Sequence, residues 1–185
     1  MNFASLAHWI QATDLATALR ESEVMYPIVM STHLAAIALF GGMILMTDLR
    51  ILGVAMKSLS ISDMIVQLRP WKWVGFIVMV TCGLSLAAAK AELYYDNPYF
   101  QIKMTFLVLI GVHALIFRRS VYGNAANLDR ARVVPGVAKT AAVLSLVLWL
   151  GVLCSGRWIA YYERKGETYR NVPAPAQVTQ SSVPR

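Results

Sequence analysis

The sequence predicts an all-α protein: a four-helix transmembrane bundle, preceded by an N-terminal interfacial amphipathic helix and followed by a polar, flexible C-terminal tail. Three observations carry this. The chain is 57% hydrophobic and 15% charged, with a mean hydropathy of +0.53, whereas soluble domains carry about 25% charged residues and under 50% apolar ones. Four apolar runs are each long enough to cross a bilayer. The basic residues behind the net charge of +7 sit in the short segments between those runs, where topology and lipid headgroups account for them. The expected organisation is residues 1–23 as the interfacial helix, 24–162 as the transmembrane domain and 163–185 as the tail.

In the N-terminal segment, Phe3, Leu6, Ala7, Ile10, Leu15 and Leu19 recur at helical spacing, with Gln11, Thr13 and Asp14 between them. That is too polar to span and suits a helix lying in the interface plane, with Trp9 as its anchor and His8 as a solvated surface residue. It lacks a basic n-region, and Asp14, Glu21 and Glu23 interrupt any apolar core, so the first span is expected to act as an uncleaved insertion signal.

The first span is expected from Val24 to Thr47. Its roughly 24 residues cover ~36 Å, enough to cross with some tilt. Pro27 falls in its first turn, where a missing N–H matters least, and Asp48-Leu49-Arg50 closes it as a helix-end charge cluster. Residues 51–69 read as an amphipathic connection on the membrane surface, and Pro70-Trp71-Lys72-Trp73 as an interface marker. The second span runs from Val74 to about Ala91, with Gly75 and Gly83 on one face, where small residues allow close approach of a helix or a flat cofactor. Tyr94, Tyr95 and Tyr99 form an aromatic-belt turn. The third span covers Phe100 to Phe117. A polar, basic loop follows from Ser120 to Val134. The fourth span covers Val137 to Ala160, and the Pro-, Gln- and Ser-containing tail is disordered by composition.

Cys82 and Cys154 both lie in apolar runs and read as small buried side chains. The absence of CxxCH excludes covalent haem attachment. Nothing resembles a nucleotide loop, a hydrolytic triad or a paired intramembrane carboxylate, and no basic helix interleaved with aromatics points to nucleic acid.

Two histidines stand inside spans, His33 and His113. An ionisable side chain at that depth is costly and marks a functional site by default. Counting from the span ends puts His33 ~14 Å and His113 ~20 Å below the outer boundary; a shift of either end by two to four residues brings them level. Ile37, Phe40 and Gly41 share the first histidine's face, and Phe106, Leu109, Ile110 and Phe117 the second's. Iron would give both imidazoles a partner, so the leading expectation is one haem b with His33 and His113 as cofactor and metal ligands. Arg157, one turn from the outer end of span four, would sit near its propionates as a carboxylate fork. The competing expectations are that each histidine donates a hydrogen bond across helices, that the pair binds copper or another metal, and that Arg157 snorkels to headgroups.

Tyr26-Pro27, His33-Leu34, Gly41-Gly42 and Asp48-Leu49-Arg50-Ile51-Leu52-Gly53 resemble a family of small, uncharacterised bacterial four-helix membrane proteins. The likeness continues through Asn97-Pro98-Tyr99-Phe100-Gln101-Ile102-Lys103-Met104 and Ser155-Gly156-Arg157-Trp158-Ile159-Ala160. More remotely, the layout is similar to copper-resistance D-type and cytochrome b561-type membrane proteins, the latter of which bind haem between helices. In the pattern this resemblance implies, His33 matches a histidine, position 113 more often carries asparagine and position 117 histidine; here His113 and Phe117 stand there.

The function expected is a haem-b electron-transfer protein, or the haem-binding subunit of a larger redox complex, rather than a complete enzyme. The alternative is a non-redox structural subunit or small-solute transporter. The location implied is the bacterial inner membrane with both termini periplasmic, since Arg50, Lys57, Arg69 and Lys72 in the first connection and Arg118, Arg119, Arg130, Arg132 and Lys139 in the third outweigh Lys90 and Lys103 in the second. Partners expected are the bilayer, other membrane redox subunits or a periplasmic cytochrome, and a further copy of the chain.

Overall fold

The computed structural model of the chain describes residues 3–120, 125–130 and 134–170. The order is α1 (Phe3–Gln11), α2 (Asp14–Glu21), α3 (Met25–Leu52), α4 (Ile61–Ala89), α5 (Ala91–Tyr95), α6 (Pro98–Ser120), α7 (Ala125–Arg130) and α8 (Gly136–Arg170). Among the described residues four segments are long and apolar enough to cross a membrane: Met25–Leu52, Ile61–Ala89, Pro98–Phe117 and Gly136–Tyr162. The protein is an all-α, multi-pass membrane bundle. Many of its large apolar side chains, such as Leu39, Ile77, Val108 and Leu115, remain on the outside, as they do where lipid is the solvent.

Helix α3 packs on α4 and on α8, and α6 packs on α8. The interior has two apolar centres. One joins Ala36 of α3, Met79 of α4 and Trp149 of α8, with Phe40 and Ile110 against them. The other joins Ile51, Ile61, Leu128, Ala138, Ala141 and Ala142, with Phe117 against them. Where backbones must approach closely the residues are alanine or glycine, so that dispersion contacts replace the hydrophobic effect that lipid cannot supply.

The N-terminal segment is helical, as its periodicity predicts, but breaks into α1 and α2 at Ala12-Thr13. It docks on the bundle end formed by α5 and α4: His8 Nδ1 lies 3.6 Å from Glu92 Oε1, Gln11 Nε2 donates to Glu92 Oε2 at 3.3 Å, and Arg20 donates to the Ala89 carbonyl at 3.4 Å.

The segment 51–69 differs from the surface connection that its amphipathic pattern predicts. Helix α3 continues through Asp48 to Leu52 and stops at Gly53, whose φ of +73° is a left-handed cap that favours glycine. After a link at 53–60, α4 begins at Ile61, thirteen residues before Val74, and carries Pro70 inside it. Two things extend it. Ile61 and Met64 are buried, and the N-terminus is doubly capped. Ser60 Oγ accepts the Asp63 N–H at 3.1 Å. Asp129 of α7 accepts the N–H groups of Ile61 and Ser62 at 2.7 and 2.9 Å and the Ser60 hydroxyl at 2.9 Å.

The loop expected from Ser120 to Val134 contains α7. The tail expected from residue 163 continues as helix to Arg170, since Glu, Arg and Lys sustain helix well; residues 171–185 of that expected tail lie outside the described residues.

Candidate functional site

Helix α3 presents His33 to α4. Its ring lies against Gly83, where a Cβ would come within 2.9 Å of Cε1. Its Nδ1 lies 2.9 Å from the Met79 carbonyl. A carbonyl only accepts, so Nδ1 carries the proton and Nε2 keeps its lone pair. Among the described residues no N–H or O–H donor is hydrogen-bonded to that lone pair. Lys103 of α6 is near enough to act on the imidazole electrostatically, and its Nζ would stand 3.9 Å from a Cβ on Gly156 of α8.

His113 is buried, and its Nε2 lies 2.9 Å from the Ala141 carbonyl of α8. Its ring packs on Phe117 at 4.8 Å between centroids. Here the nitrogen farther from the backbone, the one with more reach toward a metal, is the one already committed.

The structure does not bring the two histidines together. Contacts between α6 and α8 step along the pair in order: Lys103 beside Gly156, Phe106 against Gly151, His113 on Ala141. From Gly156 to Ala141 is about 22 Å of helix. His33 belongs to the Lys103 level. His113 belongs to the level of Asp48, which faces Ser145, one turn from Ala141. The Phe40 and Trp149 rings, 5.5 Å apart, fill the middle. One iron needs both imidazoles at one level on opposite faces of a porphyrin, so the pair does not fit a shared haem. His33 alone keeps the features of a ligand: one ring nitrogen oriented by a backbone carbonyl, the other available.

Arg157 is exposed, donates to Tyr161 Oη at 3.3 Å and lies 4.9 Å over that ring. It faces outward, and Lys103 is the cation on the histidine side. Among the described residues no group of three or more His, Cys, Asp or Glu side chains gathers to hold a metal ion. Two grooves, of about 420 and 360 Å³, open between α3 and α4. One is lined by Met56, Asp63 and Gln67 and the other by Thr32, Leu39, Gly75 and Val78, and neither includes a histidine.

A second polar centre is one that sequence reasoning misses. Asp48 is fully buried. Its carboxylate faces Ser145 of α8 and Lys72 of α4, yet neither oxygen reaches hydrogen-bond geometry with a described donor. Lys72 Nζ donates instead to Thr47 Oγ1 at 2.8 Å. The signal was there: Asp48 and Lys72 flank apolar runs and carry opposite charge. Their adjacency to Arg50 and to two tryptophans made both look like span ends.

A family model described as "Family of unknown function (DUF6644)" matches residues 9–162. No curated protein matches the chain, and neither does any solved structure.

Proposed function

The chain belongs to that family of unknown function, and we propose that it is a membrane-embedded haem-b electron-transfer protein, or the haem-binding subunit of a larger redox complex, in which His33 holds the iron. The observation that carries this is the state of His33 inside a span: its Nδ1–H is fixed on the Met79 carbonyl, and among the described residues no donor is hydrogen-bonded to its Nε2. Haem bound there would supply one-electron chemistry. The chain's own part is to orient the imidazole through Met79, to offer the Lys103 ammonium to a carboxylate, and to keep water out with the apolar layer of Ala36, Met79 and Trp149. The remote likeness to cytochrome b561-type proteins points the same way. We place the protein in a bacterial inner membrane with both termini outside, and assign it a larger redox subunit or a periplasmic cytochrome as electron partner.

A second reading, a non-redox structural subunit, is favoured by one observation: both histidines already have an interhelical carbonyl partner, His33 joining α3 to α4 and His113 joining α6 to α8. The visible spectrum of protein purified from haem-sufficient cells separates the readings. The haem reading expects a Soret band and reduced α-band that His33→Ala abolishes and His113→Ala retains. A wild-type protein without a Soret band gives the structural reading its place.

A further inference from the structure

The second polar centre is independent of the haem reading. Asp48 is 0% exposed, Thr47 1% and Ser145 5%. A carboxylate removed from water inside a spanning helix must be paired, hydrogen-bonded or neutral. The cation that faces Asp48 is Lys72, yet among the described residues no ion pair joins them. The Lys72 ammonium rests on Thr47 Oγ1, and Thr47 passes its own proton to the Met43 carbonyl at 2.8 Å. Three other titratable or charged groups near this end have partners of their own. Arg50 of α3 donates to the Leu59 carbonyl. Asp129 of α7 is held by the start of α4. His113 of α6 is on Ala141. Helix α8 faces Asp48 with Ser145, an uncharged hydroxyl.

We propose that Asp48 is a proton-binding site, with Lys72 as a counter-charge that has two positions. In the protonated form Lys72 rests on Thr47, the arrangement seen here, and the acid O–H turns to the Ser145 hydroxyl that faces it. When the proton leaves for the aqueous phase at this end of the bundle, the carboxylate regains its charge and draws the half-buried Lys72 ammonium off Thr47 into a direct ion pair. Only the one O–H bond breaks or forms, and the cluster changes between a charge of +1 and 0. A lysine that swings between α3 partners couples the protonation of Asp48 to the α3–α4 contact, which gives the bundle a proton-uptake step.

The test uses the full-length protein in lipid nanodiscs, with its aspartates labelled with ¹³C at the side-chain carboxyl. The chain has five aspartates. The expected result is one carboxyl resonance, absent in Asp48→Asn, that titrates apart from the other four. Its titration moves to higher pH by roughly one unit or more in Lys72→Met, where the opposing charge is gone. Wild type and Lys72→Met suffice should Asp48→Asn fail to fold, since the separate titration and its dependence on Lys72 are read without it. A carboxyl that stays ionised throughout, one that stays protonated throughout, or a titration that ignores Lys72→Met overturns the proposal.

Discussion

At Gly83 the absence of one methyl group decides where an imidazole sits. A Cβ there would lie 2.9 Å from His33 Cε1, well inside van der Waals contact, so Gly83→Ala must displace the ring and break its bond to Met79. Overpacking of this kind costs about 1–3 kcal/mol. Gly42 is the control: it is also helical, and nothing lies within 4 Å of a Cβ built on it, so Gly42→Ala is expected to be neutral or slightly stabilising through helix propensity. Thermal unfolding in one detergent measures both, and the prediction is lost if Gly83→Ala melts with the wild type. Sequence reasoning finds His33 and His113 because an ionisable group in an apolar run is conspicuous. It does not find which ring nitrogen is free, since that depends on carbonyls at Met79 and Ala141 that are remote in sequence. Nor does it separate Lys103 from Arg157. Both stand near span ends on the same side of the bundle, and only the packing turns one inward and the other onto Tyr161.

Helix α4 shows how an element boundary hides a site. Its first thirteen residues alternate charge with apolar side chains and contain Pro70, which reads from sequence as a surface segment ended by a breaker. Burial of Ile61 in the cluster with Ile51 and Leu128, together with the Asp129 cap, carries the helix through, and so Lys72 lies within α4 instead of at its edge. The cap is testable. Partial burial pushes the Asp129 carboxyl up, but hydrogen bonds from Ser62, Ile61 and Ser60 outweigh this and hold it down to about 2. A carboxyl depressed in the folded state stabilises fully above its unfolded value of about 4 and loses that contribution as pH falls through about 2. Asp129→Ala is expected to cost about 1 kcal/mol at neutral pH. The gap between wild type and variant should hold steady above about pH 5 and close toward pH 2. A gap that does not narrow in acid would show that the carboxylate is not what holds the start of α4.

For the molecule as a whole, the interior contacts bear on orientation in the membrane. The ends are chemically unlike. Along the sequence, the α3–α4 and α6–α8 connections and the helix ends beside them hold Arg50, Lys57, Arg69, Arg118, Arg119, Arg130, Arg132 and Lys139. The α4–α6 connection at the other end carries Lys90, whose ammonium lies 5.3 Å over the Tyr26 ring. Lys72 and Lys103, which a count along the sequence assigns one to each side, are half-buried within spans. By the short-loop rule, the charge contrast between the two ends supports the proposed orientation with the basic end in the cytoplasm. Arg20 stands at the opposite end but is held by the Gln11 and Ala89 carbonyls. The basic residues of the C-terminal segment, Arg164, Lys165, Arg170 and Arg185, pull the other way. They follow the last span, where they act after three earlier spans have inserted. A reporter active only in the cytoplasm is expected to be silent when fused after Arg185 and active when fused after Gly123, in the α6–α7 link. Activity after Arg185 together with silence after Gly123 would invert the bundle, and would put the Asp48–Lys72 centre at the outer face and His33 with Lys103 at the inner one.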